Sequence, residues 1–119
     1  MIRKPKVISI GANTELLRLR GAILKCAGFN VFSTSDPKQA VIEIQAADCG
    51  ALLLCYSLAD SVRQQIAREF RETHPGAHIV AITTERLEEP PEDADIVVYG
   101  IEGPETLISA IRGSGRRSG

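Results

Sequence analysis

The most informative stretch for the fold is an apolar run in the middle of the chain, Ala51-Leu52-Leu53-Leu54-Cys55-Tyr56. It shows no alternation of apolar and polar residues, which is typical of a strand covered on both faces of a parallel sheet, although so short a run can also belong to a buried helix. The flanking sequence favours the strand. A helix is predicted to end just before the run, with Gly50 available for a left-handed turn, and another helix is predicted after Asp60-Ser61.

Toward the N-terminus, strand and helix patterns alternate. Residues 6–10 and 30–34 are short, β-branched segments and are predicted strands. A helix is predicted between them, capped by Asn13 and ending at Gly28. Its inner face is predicted from apolar spacing to contain Leu16, Leu19, Ile23 and Ala27. Asp36-Pro37 is typical of a second helix start, and this helix is expected to bury Ala40, Val41, Ile44 and Ala47.

The same alternation continues toward the C-terminus. A third helix is predicted after residue 60, with Asp60 placed to cap it, and it ends at His74-Pro75-Gly76. Residues 78–83 and 96–99 are predicted strands, and Gly103-Pro104 begins a last helix. The buried residues expected in these two helices are Val62, Ile66, Phe70, Leu107, Ile108 and Ile111.

Five strands alternating with helices predict an α/β, flavodoxin-like three-layer sandwich with a five-stranded parallel sheet in the order 2-1-3-4-5. Residues 84–95 are too few for a full crossover helix and contain Pro90-Pro91, so the fourth helix of the pattern is expected to be shortened or absent. One domain is predicted over residues 1–112, followed by a flexible tail or linker start over 113–119.

Composition excludes several classes of function. With 14 Lys and Arg against 15 Asp and Glu, the chain has no general attraction for nucleic acid or anionic membranes. The start of the sequence lacks a signal-peptide pattern and no apolar run is long enough to span a bilayer, so a cytoplasmic location is expected. The three cysteines are odd in number and widely spaced, with no C-x-x-C and no His at metal-ligand spacing, which predicts reduced thiols and no metal site. No cofactor is expected either. His74 and His78 are expected to be structural or exposed.

Two segments resemble the receiver domains of two-component response regulators, the CheY-like domains. They are Leu-Lys-Cys-Ala-Gly-Phe-Asn-Val at residues 24–31 and Asp-Pro-Lys-Gln-Ala-Val at residues 36–41. The resemblance covers about residues 6–111. It implies an acidic pair after strand one that holds Mg²⁺, a phosphoacceptor Asp after strand three, a Ser or Thr after strand four and a Lys after strand five.

By position, these site residues fall on Gly11, Ala12, Cys55, Thr83 and Tyr99. Only Thr83 has the type that the resemblance implies. The resemblance therefore indicates a degenerate pseudo-receiver that is not an enzyme and is not phosphorylated. It is expected to act by protein–protein interaction in a two-component pathway or phosphorelay, with a histidine kinase, regulator or output domain as partner, and with a homodimer as a possibility.

Three other functional interpretations of these residues stay open. Cys55 lies beside predicted helix N-termini and could be a thiol-responsive switch, although the sequence places no basic residue beside it, which favours a packing role. The Gly11 turn lacks the further glycines and the Lys of nucleotide-binding loops. A small flavodoxin-like ligand-binding protein has no residue constellation behind it.

The connection after strand four is strongly acidic and could form a partner surface, although a solvated loop is the plainer interpretation. The residues of this possible surface are Glu85, Glu88, Glu89, Glu92, Asp93, Asp95 and Tyr99. The basic end of the chain, with Arg112, Arg116 and Arg117, is interpreted as a solubilising tail or linker.

Overall fold

A computed structural model describes residues 5–83, 94–99 and 103–113 of the chain. Strands and helices alternate as the sequence predicts up to residue 83, and the two last elements are a strand and a helix. In chain order the elements are β1 (Lys6–Ile10), α1 (Thr14–Cys26), β2 (Asn30–Thr34), α2 (Pro37–Ala46), β3 (Cys49–Cys55), α3 (Asp60–Thr73), β4 (His78–Thr83), β5 (Ile96–Tyr99) and α4 (Pro104–Arg112).

The five strands form one parallel sheet in the order β2-β1-β3-β4-β5, which confirms the predicted topology. Because the order reverses between β1 and β3, the carboxyl ends of these two strands lie at the position where open parallel sheets usually bind ligands. The central strand β3 is buried along almost its whole length, as its unbroken apolar sequence predicts.

Apolar residues cover both faces of the sheet, so the molecule has three layers. One cluster joins strand residues such as Ile8 and Leu52 to Ile44 of α2 and Phe70 of α3. The other joins the alternate strand residues, among them Leu53 and Cys55, to α1 and α4. Cys55 therefore points to the side of the sheet that α1 and α4 cover.

The inner face predicted for α1 is wrong. The residues of this helix that are buried are Leu17, Arg20, Gly21 and Leu24, whereas Leu19 is 57% exposed and Leu16, Ile23 and Ala27 are only partly buried. Two neighbouring apolar stripes run along the helix. The stripe with Gly21 faces inward, since a Cβ at Gly21 would already lie 3.1 Å from Ser33 Oγ of β2 and a bulkier residue would not fit.

Two predicted helix ends also need correction. Helix α2 ends at Ala46 without a left-handed glycine, because β3 begins at Cys49 and Gly50 is already extended within that strand. A Cβ at Gly50 would lie 2.9 Å from Pro5 Cβ, so close packing explains this glycine. Helix α3 is capped by Ala59 without a side-chain hydrogen bond, and Asp60 is its first residue.

The sequence predicts that a helix between β4 and β5 is shortened or absent. This prediction concerns residues 84–95, and only Ala94 and Asp95 of them lie in the described ranges. The expected tail lies outside them after Gly113, the left-handed residue that ends α4. Of the helices that are described, none is long and apolar enough to cross a membrane.

Candidate functional site

The carboxyl ends of β1, β3, β4 and β5 bring the predicted site positions to one edge of the sheet. Gly11 follows β1 directly, and Cys55 ends β3, pairing in register with Ile82 of β4. Thr83 ends β4 and pairs in register with Tyr99, the last residue of β5. The parallel register therefore places the four positions along the same edge, as the sequence predicts.

Gly11 is packed directly against Cys55. A Cβ built on Gly11 would lie 2.8 Å from Cys55 Cβ and 3.4 Å from its Sγ, closer than carbon atoms approach without displacement. The backbone torsion of Gly11 is not left-handed, so steric contact alone requires the glycine here. A carboxylate at this position would have to displace the Cys55 side chain.

The Cys55 thiol accepts two hydrogen bonds. The Ser57 hydroxyl donates to Sγ over 3.1 Å, and Nη1 of Arg20 donates to the same atom over 3.4 Å. Ser57 Oγ in turn accepts the backbone N–H of Ala12 at 3.0 Å, which ties the loop after β1 to the loop after β3. Only 6% of Cys55 is exposed, so the thiol lies beneath this layer of donors.

Sequence reasoning missed Arg20. It lies on the inward face of α1, is only 7% exposed, and reaches the end of β3 from that helix. Helical side chains lean toward the N-terminus of their helix, which for α1 is the end nearest the site. The available signal was an arginine at helical spacing from Leu17 and Leu24, a pattern that predicts a long side chain buried among apolar neighbours.

The surroundings of Cys55 act on its acidity in opposite directions. Burial raises the pKa of the thiol, but the hydrogen bonds from Ser57 and the hydrogen bond and charge of Arg20 more than offset this, so the pKa lies below its ordinary value. The site therefore favours the thiolate, the nucleophilic form of cysteine. The expectation that no basic residue lies beside Cys55 is wrong.

The site does not supply the ligands of a divalent cation. Gly11 and Ala12 have no side-chain oxygen, and a hard cation such as Mg²⁺ requires several oxygen ligands. Among the residues that the structure describes, no group of three or more His, Cys, Asp or Glu side chains lies close enough to hold a metal. The residues present here therefore do not fit Mg²⁺. Tyr99, half-buried at the end of β5, adds no positive charge.

The loop after Cys55 is held from α3 by Arg63. Its guanidinium lies 3.8 Å from the centre of the Tyr56 ring, donates to the Leu58 carbonyl over 3.1 Å and pairs with Asp60 at 2.9 Å. Asp60 is thus engaged with its own helix, away from the sheet edge. Asp48 precedes β3 at the opposite edge, where its carbonyl accepts the Lys6 N–H. Neither carboxylate takes the place of the missing acceptor.

Most of the acidic surface predicted from the sequence lies outside the described residues, namely Glu85, Glu88, Glu89, Glu92 and Asp93. Asp95 is described and its carboxylate is turned to the protein. It accepts the Ile79 N–H at 2.8 Å and pairs with Arg71 at 3.2 Å. This residue therefore joins α3, β4 and the start of β5.

The three cysteines are free thiols, and both histidines have structural contacts. His74 Nε2 lies 2.7 Å from the Ile44 carbonyl of α2. His78 Nε2 lies 2.7 Å from the Ile111 carbonyl at the end of α4. The histidines thus link β4 and the end of α3 to neighbouring helices. Of the two expected roles, structural or exposed, these contacts agree with the structural one.

Solved structures with the same fold are receiver domains. The chemotaxis protein CheY4 of Vibrio cholerae superposes with a TM-score of 0.81 over 93% of this chain and 98% of its own, at 18% identity. A receiver domain protein of Methanospirillum hungatei gives 0.79 over 94% of both chains, at 16% identity. A response regulator of Burkholderia pseudomallei with a phosphorylated aspartic acid gives 0.79 over 91% of this chain and 66% of its own, at 14% identity.

No protein-family model matches the sequence, and no curated protein sequence resembles it significantly. The chain therefore has the fold of CheY-like receiver domains, at 16% and 18% sequence identity to two solved examples.

Proposed function

We propose that the protein is a receiver-like signalling module that is not phosphorylated and acts by binding another signalling protein of a two-component-type pathway. The observation that carries this proposal is the packing of Gly11 on Cys55. The described strands and helices form a receiver fold around an edge at which, by the receiver resemblance, a glycine and a cysteine take the positions of metal-binding and acceptor carboxylates. The 2.8 Å approach leaves no room for a side chain on the glycine.

The chemistry of phosphoryl transfer supports the first half of the proposal. The transferred group is stabilised by a divalent cation and by positive charge around its equatorial oxygens. Gly11 and Ala12 bring no ligand for the cation, and Tyr99 brings no charge. A sulfur at Cys55 replaces the carboxylate that would accept the group.

The receiver fold supports the second half. A module with this fold can bind a partner through its surface without being phosphorylated. We propose that the partner is a signalling protein of the cytoplasm, such as a histidine kinase, a regulator or an output domain. The acidic connection around residues 85–95 is the proposed contact, because a charged surface selects a partner of opposite charge.

Incubation with Mg²⁺ and beryllofluoride, followed by amide NMR spectra, tests the absence of phosphorylation. A receiver with all its carboxylates, run in the same buffers, is the positive control. We expect no Mg²⁺-dependent shift in this protein, and none in a Cys55→Asp variant, which regains the acceptor but not the metal ligands. A saturable, Mg²⁺-dependent shift in the unaltered protein would overturn the proposal.

Photo-crosslinking in an extract of the source cells tests the interaction. We expect a protein that is captured by the unaltered chain and lost with Glu88→Lys/Glu89→Lys. Glu72→Lys, at an exposed position of α3, is the matched control and should capture the same protein. Capture that is equal in all three, or absent in all three, contradicts a contact through the acidic connection.

The contact between Arg20 and Cys55 favours a second candidate function, a thiol-responsive switch at Cys55. A buried arginine that donates to a thiol is the kind of neighbour that makes a cysteine reactive. The described cavities and side-chain contacts give no comparable support to the small-ligand carrier.

A further inference from the structure

Arg20 is a buried positive charge without a carboxylate partner among the residues that the structure describes. Its side chain is more than nine-tenths buried, and the hydrogen bond that it makes is to Cys55 Sγ. Buried charges in proteins are normally paired, because desolvation without a counter-charge is costly. Within the described ranges, the group that Arg20 contacts and that can carry a negative charge is the thiol itself, in its ionised form.

The arrangement of donors around the sulfur agrees with this pairing. A thiolate has only lone pairs to offer, and Sγ receives one hydrogen bond from Arg20 and one from Ser57. The Ser57 hydroxyl accepts the Ala12 N–H, which leaves its own proton directed at the sulfur. Helix α1 and the loop after β3 therefore each place one proton donor on the same atom.

Access to this sulfur is restricted to small molecules. Gly11 covers it on one side, and 6% of the residue is exposed. Arg20, which contacts the thiol, also lines a groove of about 330 Å³ between α1 and α4, together with Leu16, Leu19 and Tyr99. A protein or a bulky disulfide could not reach Sγ by this route, whereas a peroxide is no larger than two water molecules.

We propose that Cys55 is an oxidation site for small hydroperoxides, with Arg20 as the counter-charge of the thiolate and Ser57 as its second donor. The inference rests on the second candidate function and is independent of the proposed partner contact.

In the proposed step, the thiolate sulfur attacks one oxygen of hydrogen peroxide. An S–O bond forms, the O–O bond breaks, and the leaving hydroxide takes up the proton that the thiol released to the solvent when it ionised. The sulfur loses two electrons and the peroxide gains them, which gives a sulfenic acid and water.

The other two cysteines provide internal references within the same chain. Cys26 is exposed on α1, so reagents reach it freely. Cys49 lies at the opposite edge of the sheet, where burial and the charge of Glu43 raise the pKa of its thiol to about 11. Oxidation that depends on ionisation should therefore select Cys55 despite its burial, whereas oxidation that depends on exposure should select Cys26.

The experiment measures iodoacetamide alkylation of each cysteine against pH by tandem mass spectrometry in the full chain. In parallel, the folded chain is exposed to hydrogen peroxide, the peroxide is quenched, and sulfenic acid is trapped with dimedone in urea, so that burial of Cys55 does not exclude the trapping reagent. The pH midpoint reports ionisation even where burial slows the absolute rate. We expect the Cys55 midpoint below that of Cys26 and a dimedone adduct on Cys55. Arg20→Met should slow Cys55 alkylation at neutral pH about tenfold. Arg18→Met, at an exposed position of the same helix, should leave it unchanged.

The possible failures are distinguishable. A Cys55 midpoint at or above that of Cys26 overturns both the thiol switch and the oxidation site. A low midpoint without a dimedone adduct overturns the oxidation site alone. If Arg20→Met loses the native circular dichroism spectrum, the exposed Ser57→Ala variant decides instead, and alkylation of Cys55 at the unaltered rate then contradicts the assigned donors.

Discussion

Gly11 packs so closely against Cys55 of the candidate site that a side chain at this position would disturb the fold. Replacing it with alanine places a Cβ 2.8 Å from Cys55 Cβ, at the buried edge of the central strand. Overpacking of this kind costs about 1 to 3 kcal/mol, so we expect Gly11→Ala to lower the free energy of unfolding by that amount in urea denaturation. Gly76→Ala is the matched control, because nothing lies within 4 Å of its added Cβ. Equal stability of the two variants would contradict the close contact.

For Cys55, the sequence predicts the position in the sheet but not the side chains that surround the thiol. A strand end and a parallel register follow from the apolar pattern, and they place Cys55 at the sheet edge. Arg20 escapes such reasoning because its Cα belongs to a helix and only the length of its side chain brings Nη1 to the sulfur. Which of two apolar stripes of α1 turns inward depends on the fit of Gly21 against Ser33, and residue spacing alone does not specify it.

Helix ends illustrate the same limit at the level of elements. The starts of α1, α2 and α4 are predicted correctly, because Asn13, Asp36-Pro37 and Gly103-Pro104 act through their nearest neighbours in the chain. The start of α3 is shifted by one residue, since Asp60 pairs with Arg63 instead of capping the helix. Local capping chemistry can be read from the sequence, whereas competition from a side chain one turn away depends on packing.

Asn13 caps the N-terminus of α1, and the contribution of this cap to stability can be measured. Its Oδ1 accepts the backbone N–H groups of Glu15 and Leu16 at 3.0 and 3.1 Å, two donors that have no partner within the helix. Asn13→Ala should lower the free energy of unfolding by about 1 kcal/mol. The exposed Thr14→Ala, one residue further on, should change it by less than about 0.5 kcal/mol. Thermal and urea denaturation of both variants measure the difference, and an Asn13→Ala variant as stable as the unaltered protein would show that the cap contributes nothing.

Across the whole molecule, one strand carries thiols with opposite acidity at its two ends. Cys55 lies at the carboxyl edge of the sheet under Arg20, and the pKa of its thiol is lowered. Cys49 lies at the amino edge near Glu43 and Asp48, and the pKa of its thiol is raised. The order of the strands and the polarity of β3 follow from the sequence, but these opposite environments require helices α1 and α2 to be packed on the sheet.

The raised pKa of Cys49 predicts a loss of stability at alkaline pH. Burial is the main cause and the charge of Glu43 adds to it, taking the pKa from 9.0 to about 11 in the folded protein. Because the folded state holds this proton more tightly than the unfolded state, the associated stability is complete below pH 9 and is lost as the pH rises through 11. The loss amounts to about 2 to 3 kcal/mol at most. Urea denaturation should therefore show that Cys49→Ala weakens this decline while Cys26→Ala, at an exposed position, leaves it unchanged. An identical alkaline decline in all three proteins would show that Cys49 does not cause it.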